Sequence, residues 1–199
     1  MEREIDDLIA GCNGQIASFL RIAKETGARA GEIYSLKWTE IDFENRTVRV
    51  TPEKGSNPRI LTISMALIAM LHRLPKDDQK VFSHYRNLNN LRRTFDRYRQ
   101  KLAHKFGNPR LLQITFHTLR HWKATTEYHK TKDILHVMQL LGHRSIKNTL
   151  LYTQFIKNMP DDDYVCKVAR TPTEVKELIE SGFEYVCDQA ELKFFRKRK

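Results

Sequence analysis

Apolar residues recur at helical spacing along most of the chain and alternate in a few short stretches. Ile5, Leu8, Ile9 and Cys12 share one face of a 3.6-residue repeat, and Ile16, Phe19, Leu20 and Ala23 share another. Asn13-Gly14 between them is a turn signal, so the spacing predicts two helices, the second closed by Thr26-Gly27. A short helix over A-R-A-G-E-I-Y-S-L places Arg29 and Glu32 one turn apart on one face. Residues 47–51 and 59–63 alternate or are β-branched, and P-E-K-G-S-N-P between them is rich in turn formers. That predicts a hairpin with Lys54 near its tip. Ser64 is placed to cap a helix with Leu67, Ile68 and Leu71 inward. Residues 87–106 are the longest periodic segment, with Leu88, Leu91, Phe95, Tyr98, Leu102 and Phe106 on one face and Gly107-Asn-Pro109 ending it. Thr115 is expected to cap a helix carrying His117, Arg120 and His121. Thr131 is expected to cap the next, with Ile134, Leu135, Met138 and Leu141 inward and Gly142 past its end. Ser145 is expected to cap a third, carrying Tyr152.

After Met159-Pro160 the character changes. D-D-D is an acidic break, and residues 164–168 read as a strand. Thr171-Pro-Thr-Glu174 is a capping box with proline at the first helical position, opening a helix stopped by Gly182. Residues 183–187 and 192–195 read as two more strands. The pattern predicts a mainly α chain with a small antiparallel sheet, an α+β domain over residues 1–160, and a β-α-β-β tail over residues 161–199. Units below about 40 residues rarely fold alone. The tail is therefore expected to pack on the main domain or on a neighbouring subunit.

Composition narrows the class. At 199 residues and 40% hydrophobic content the chain can bury a core. No apolar run approaches a membrane span, and the charged start, M-E-R-E-I-D-D, is unlike a signal peptide. Cys12, Cys166 and Cys187 are odd in number and lack zinc-ligand spacing, which favours buried thiols in a reducing cytoplasm. The net charge of +11 is unevenly spread: residues 161–199 hold 8 basic and 9 acidic groups, and residues 1–160 hold 27 and 15. The positive field on the main domain suits a polyanion, with nucleic acid first, as well as a merely soluble basic protein.

The candidate chemistry lies in residues 116–155. His117, Arg120, His143 and Tyr152 stand there without a carboxylate cluster or cysteine pair. Two imidazoles, a guanidinium and a phenol suit a phosphate diester and a tyrosine nucleophile better than a metal. His117 and His121 have metal-pair spacing but no partner acid. Each residue also has a plain reading: Tyr152 as packing, His143 as a partner for a helix C-terminus, Arg29 and Glu32 as a surface pair, Lys54 as a solvated loop residue. Arg92, Arg93, Arg97, Arg99 and Lys101 crowd the polar side of the long helix, as DNA-phosphate contacts or as a solvated face.

Taken in order, these segments resemble the tyrosine recombinases of the phage-integrase family. G-A-R-A-G-E-I is similar to the box holding that family's first catalytic arginine, giving Arg29 that role and Glu32 the supporting acid. K-G-S-N-P-R resembles the hairpin lysine segment (Lys54), and F-H-T-L-R-H the H-x-x-R box (His117, Arg120). L-G-H-R-S and T-L-L-Y resemble the last two boxes (His143, Tyr152). Steps of 23 residues from Arg120 to His143 and 9 from His143 to Tyr152 are ordinary for the family. The resemblance covers about residues 4–155. It implies a tyrosine-recombinase catalytic fold, double-stranded DNA as partner, a tetramer on two DNA sites, and cleavage and rejoining through a 3′-phosphotyrosyl bond without metal, ATP or other cofactor. It implies Tyr152 as nucleophile, Arg29 and Arg120 on the phosphoryl oxygens, Lys54 as acid, His117 as base and His143 as a donor to a phosphoryl oxygen. The cationic cluster is expected to lower the phenol below its ordinary pKa of about 10. The chain begins almost directly at the catalytic domain, so the family's N-terminal core-binding domain is expected to be absent from it. A type IB topoisomerase-like relaxing activity and a non-turnover DNA-binding fragment of a split or truncated integrase are the alternatives. The resemblance further implies a cytoplasmic, nucleoid-associated protein encoded by a prokaryote, virus or plasmid.

Overall fold

The computed structural model describes residues 1–53, 55–154, 164–189 and 192–198. It divides into two compact units, Met1–Ile156 and Lys157–Lys199. Among the described residues the chain is mainly helical, with two small antiparallel sheets.

The first unit is built around α2 (Gly14–Thr26), which packs against α1 (Glu2–Gly11), α4 (Met65–His72), α5 (Leu88–Phe106) and α6 (Phe116–Thr131). The periodicity explains this, since Ile16, Phe19, Leu20 and Ala23 are all buried. The Phe19 ring meets Phe82 at 5.1 Å and Phe116 at 4.8 Å, joining three distant segments. Burying one such side chain is worth about 1.5–3 kcal/mol. Local chemistry sets the helix ends. Asn13 caps α2 by accepting from the Ile16 N–H at 3.0 Å, and Gly27 ends it with φ +63. Ser64 caps α4 and Thr115 caps α6, as their residue types lead one to expect.

The first sheet runs β1 (Ile41–Asp42), β2 (Thr47–Val50), β3 (Arg59–Thr62), with both pairs antiparallel. The hairpin is found where the alternation puts it. The two-residue β1 is too short to leave a pattern. The short helix α3 (Ala30–Tyr34) holds Glu32 but not Arg29, which is extended and stands at its N-cap.

Farther along, α7 (Ile134–Leu141) corrects two expectations. Asp133 caps it, accepting from the Leu135 and His136 N–H groups at 2.8 and 3.0 Å. Thr131 instead ends α6 and donates to the Glu127 carbonyl. The inward residues are Val137 and Leu141, whereas Leu135 is 57% exposed. Over two turns, both faces of I-L-H-V-M-Q-L-L are apolar enough to fit. At the end of α5, Phe106 is likewise 47% exposed, because the core stops at Leu102 and Ala103. The helix α8 (Lys147–Gln154) follows and carries Tyr152.

The second unit contains β4 (Tyr164–Ala169), α9 (Pro172–Glu180), β5 (Glu184–Gln189) and β6 (Leu192–Arg198). Its sheet order is β4-β6-β5, so the last strand is central, and Arg196, Lys197 and Arg198 continue it beyond the expected end. Thr171 and Glu174 form the capping box at the start of α9. A small core of Ala169, Leu178 and Phe195 sits under that helix.

Candidate active site

The site starts with one buried guanidinium. Thr115 fixes the start of α6, and the helical repeat then turns Arg120 inward beside Leu119, leaving it 3% exposed. Its Nη1 donates to the Gly27 carbonyl at 2.6 Å, and its Nη2 donates to the Leu141 carbonyl at 2.8 Å and to His143 Nε2 at 2.9 Å. All three acceptors are neutral. Burial, then the positive charges of Arg29 and Arg59, push Arg120 down to about 10. A guanidinium held by neutral acceptors keeps its charge available, and is pre-organised for an incoming anion.

The same contact fixes the state of His143. Arginine N–H groups only donate, so Nε2 accepts and the proton sits on Nδ1, facing Thr149 Oγ1 at 2.9 Å. Burial, then Arg120, Arg29 and Arg59, lower His143 to about 4. Both ring nitrogens are thus occupied, and a hydrogen bond from His143 to a phosphoryl oxygen requires either that Nδ1–H leave Thr149 or that Nε2 leave Arg120 and take up a proton. This neutral histidine has a consequence for pH. Its folded pKa lies below the ordinary value of about 6.5. The unfolded chain therefore binds the extra proton first as pH falls, and the stability is present above about 6.5 and lost toward about 4. His143→Gln is expected to flatten that part of a plot of thermal midpoint against pH. An unchanged slope would count against the assignment.

Arg29 stands at the start of α3 with its side chain 35% exposed. Its N–H donates to Glu32 Oε2 at 2.8 Å and its Nη1 reaches Oε1 at 3.4 Å. The Glu32 side chain is fully buried. Its stronger partner is Arg59, whose Nη2 donates to Oε2 at 2.7 Å. Burial pushes the Glu32 carboxyl up, and the bonds from Arg59 and the Arg29 N–H more than offset it, so it stays ionised.

Arg59 was not among the residues picked out from the sequence. It is buried, and it also donates to the Asn57 carbonyl at 3.3 Å and reaches Ser56 Oγ at 3.4 Å. The Asn57 N–H and the Ser56 hydroxyl in turn donate to the Gly142 carbonyl at 2.9 and 3.0 Å. The loop of the hairpin is thus tied to the turn that carries His143. Gly142 has φ +68, and a Cβ there would lie 2.7 Å from Arg59 Nη1 and 2.8 Å from the Asn57 carbonyl oxygen. Strand parity was the available signal: Ile63 is buried and Leu61 half-buried, and residue 59 shares their face while Ile60 is 67% exposed.

His117 lines an open cleft of about 580 Å³ with Arg29, Glu53, Arg92, Asp96 and Arg120. Burial, then Arg120 and Arg29, hold His117 below its ordinary value, so it is neutral near pH 7. The ring of His121 stands edge-on to His117 at 4.2 Å and is 5.5 Å from the ring of Tyr152. Tyr152 is 3% exposed and packs with Ala124, Val137 and Leu141. Its phenol departs from expectation. Burial raises its pKa, and the opposing influence of Arg120 and Arg29 is smaller. Net positive charge nearby does not lower a phenol that has also lost its water.

Arg29, His117, Arg120, His143 and Tyr152 are therefore brought into one region, with Glu32 beneath them. Lys54 lies outside the described residues. Of the basic positions on α5, Arg92 and Arg99 line the cleft, and Arg93, Arg97 and Lys101 are exposed. Arg99 is engaged internally, donating to the Leu112 and Ile114 carbonyls at 2.8 Å each and to Asp96 at 2.5 Å. Among the described residues, no three His, Cys, Asp or Glu side chains are grouped to hold a metal, and no helix is long and apolar enough to cross a membrane.

The model of the phage integrase family matches residues 1–159. The chain is 32% identical over 132 residues to tyrosine recombinase XerA of Pyrococcus horikoshii, covering 64% of this chain and 46% of that protein. The chain thus spans about half the length of the curated relatives it matches. The crystal structure of XerA recombinase superposes with a TM-score of 0.64 at 22% identity, covering 92% of this chain and 62% of that one. The XerH site-specific recombinase bound to difH substrate gives 0.59 at 21% identity, over 76% of this chain and 47% of that one.

Proposed function

The chain belongs to the phage integrase family, and from that premise we propose that it carries the strand-transfer chemistry of a site-specific DNA recombinase. The observation that carries this reading is the buried Arg120 guanidinium, held by neutral acceptors beside Arg29, His117 and Tyr152. Tyr152 attacks a phosphodiester and forms a 3′-phosphotyrosyl bond. Arg29 and Arg120 stabilise the charge on the non-bridging oxygens, where a planar fork suits the geometry better than lysine. An imidazole takes the phenolic proton, the part first given to His117, and Lys54 protonates the departing 5′ oxygen. The covalent bond conserves the energy of the broken diester, so rejoining needs no ATP. Double-stranded DNA is the partner, and a tetramer on two sites is the working assembly, as for other members of the family. The same reading assigns residues 1–160 as the catalytic domain and residues 161–199 as an appended unit, and it places the protein in the cytoplasm with the nucleoid.

The test is covalent capture. Nicked suicide duplexes that lose their 5′ end on cleavage should leave a phosphotyrosine at residue 152, found by peptide mapping. Capture at another residue, or none at any protein concentration, would falsify the assignment. Relaxation of a plasmid without a special site would point to a topoisomerase instead.

The arginines of α5 separate in the same assay. Arg92→Ala is expected to weaken DNA binding and to reduce the slope of log affinity against log salt by about 1. Arg99→Ala is expected to leave that slope unchanged and to lower the thermal midpoint, because its donors hold the 310 turn Pro109–Gln113 on α5. The opposite pattern would reverse the two roles.

A further inference from the structure

We propose that His121 is the base that takes the Tyr152 phenolic proton, with His117 beside it serving the phosphate side of the cleft. This rests on the strand-transfer reading of the site and changes one assignment within it.

The geometry of α6 points this way. Residues 117 and 121 are one helical turn apart on one face, and their rings stand edge to face at 4.2 Å and 88°. The His121 ring lies 5.5 Å from the Tyr152 ring at 56°. His117 lines the open cleft with Arg29 and Arg120, where a phosphate would sit. The imidazole against the phenol is therefore His121. Its Nδ1 is buried and has no hydrogen-bond partner. A buried polar atom left so costs about 1–3 kcal/mol; no neighbour among the described residues occupies it, and it becomes available to the phenolic oxygen once the Tyr152 ring, 5.5 Å away, turns toward it. The charged and titratable groups around the ring are His117 and Arg120 on its own helix and Tyr152 on α8. Burial, then His117 and Arg120, hold His121 below its ordinary value, so it is neutral and carries a lone pair. The need for such a base follows from the phenol, whose pKa burial raises.

The step balances as follows. The imidazole lone pair of His121 takes the phenolic proton while the phenolic oxygen forms its bond to phosphorus. The bond from phosphorus to the 5′ oxygen breaks with its electron pair, and that oxygen is protonated by the acid of the site, assigned to Lys54. On rejoining, the 5′ hydroxyl attacks phosphorus, and the imidazolium of His121 returns its proton to the tyrosine oxygen.

The experiment measures the rate of covalent capture on a randomised pool of nicked duplexes, using the full chain. His121→Phe keeps a ring against Tyr152 and removes the lone pair. Capture is expected to slow roughly 100-fold or more. A fluorinated tyrosine at position 152, a stronger acid, is expected to restore most of that loss in His121→Phe and to change the unsubstituted chain little. His121→Asn, read in the same way, covers the case in which the phenylalanine variant does not fold. Capture at the unsubstituted rate overturns the proposal, and so does a slow variant that the acidic phenol does not rescue. If the unsubstituted chain captures no DNA, the strand-transfer reading fails first and this assignment goes with it.

Discussion

Tyr152→Phe should abolish covalent capture of nicked DNA while leaving the fold and DNA binding in place. The substitution removes one oxygen. The ring keeps its seat among Ala124, Val137 and Leu141 and its contact with His121. The lost hydroxyl lies where burial already disfavours its ionised form. Stability should therefore change by no more than about 1 kcal/mol, the scale of a single hydrogen bond. The chemical effect has no such limit, because phenylalanine has no nucleophile and the adduct cannot form. Denaturing gels should show the adduct vanish rather than decline, while native gels show the same DNA shift. A residual adduct of the same mass would place the nucleophile elsewhere.

Glu32→Ala is expected to cost about 3–5 kcal/mol, the loss seen when one member of a buried ion pair is removed. Against a typical total of about 5–15 kcal/mol, that brings the fold near its limit. The carboxylate is fully buried and receives Arg59 at 2.7 Å and the Arg29 N–H at 2.8 Å. Without it the Arg59 charge remains buried, and Arg120 loses the larger of the two negative influences on it. Combining Glu32→Ala with Arg59→Met should recover a good part of the loss, since the stranded charge goes too. Urea denaturation of the two single variants and the pair measures the coupling, and losses that simply add would show that the two side chains do not act together.

Much of this candidate site could be read from residue types in order, because the segments holding Arg29, His117, Arg120, His143 and Tyr152 follow one another in the order and at the intervals of the family they resemble. The hidden parts were those decided by burial. Arg59 looks like the polar foot of a hairpin, and only its parity with Leu61 and Ile63 shows that it points inward. Arg99 is one of several arginines on a basic helix, and the carbonyls that claim it belong to a turn more than ten residues away. The Tyr152 phenol lies above its ordinary value despite Arg120 and Arg29, since loss of solvent is invisible in a list of cationic neighbours. In α7 a short apolar segment fitted two faces, and Asp133 at the cap chose between them. The long helices were legible because several turns of repeat leave one face to bury. The start of α9 was legible because Thr171, Pro172 and Glu174 mark it so strongly.

The tie between the hairpin and the Gly142 turn also bears on the order of folding. Arg120 bonds to a carbonyl 93 residues away, and Ser56 to one 86 residues away. Loops of that length must close before either bond forms, and their entropic cost falls before the contacts repay it. A chain emerging from the ribosome can complete α2 and the hairpin early. Its arginines cannot be gathered around Gly142 until α7 has been released. The growing polypeptide therefore cannot complete the contacts of Arg120 and Ser56 until residues 141 and 142 have been made.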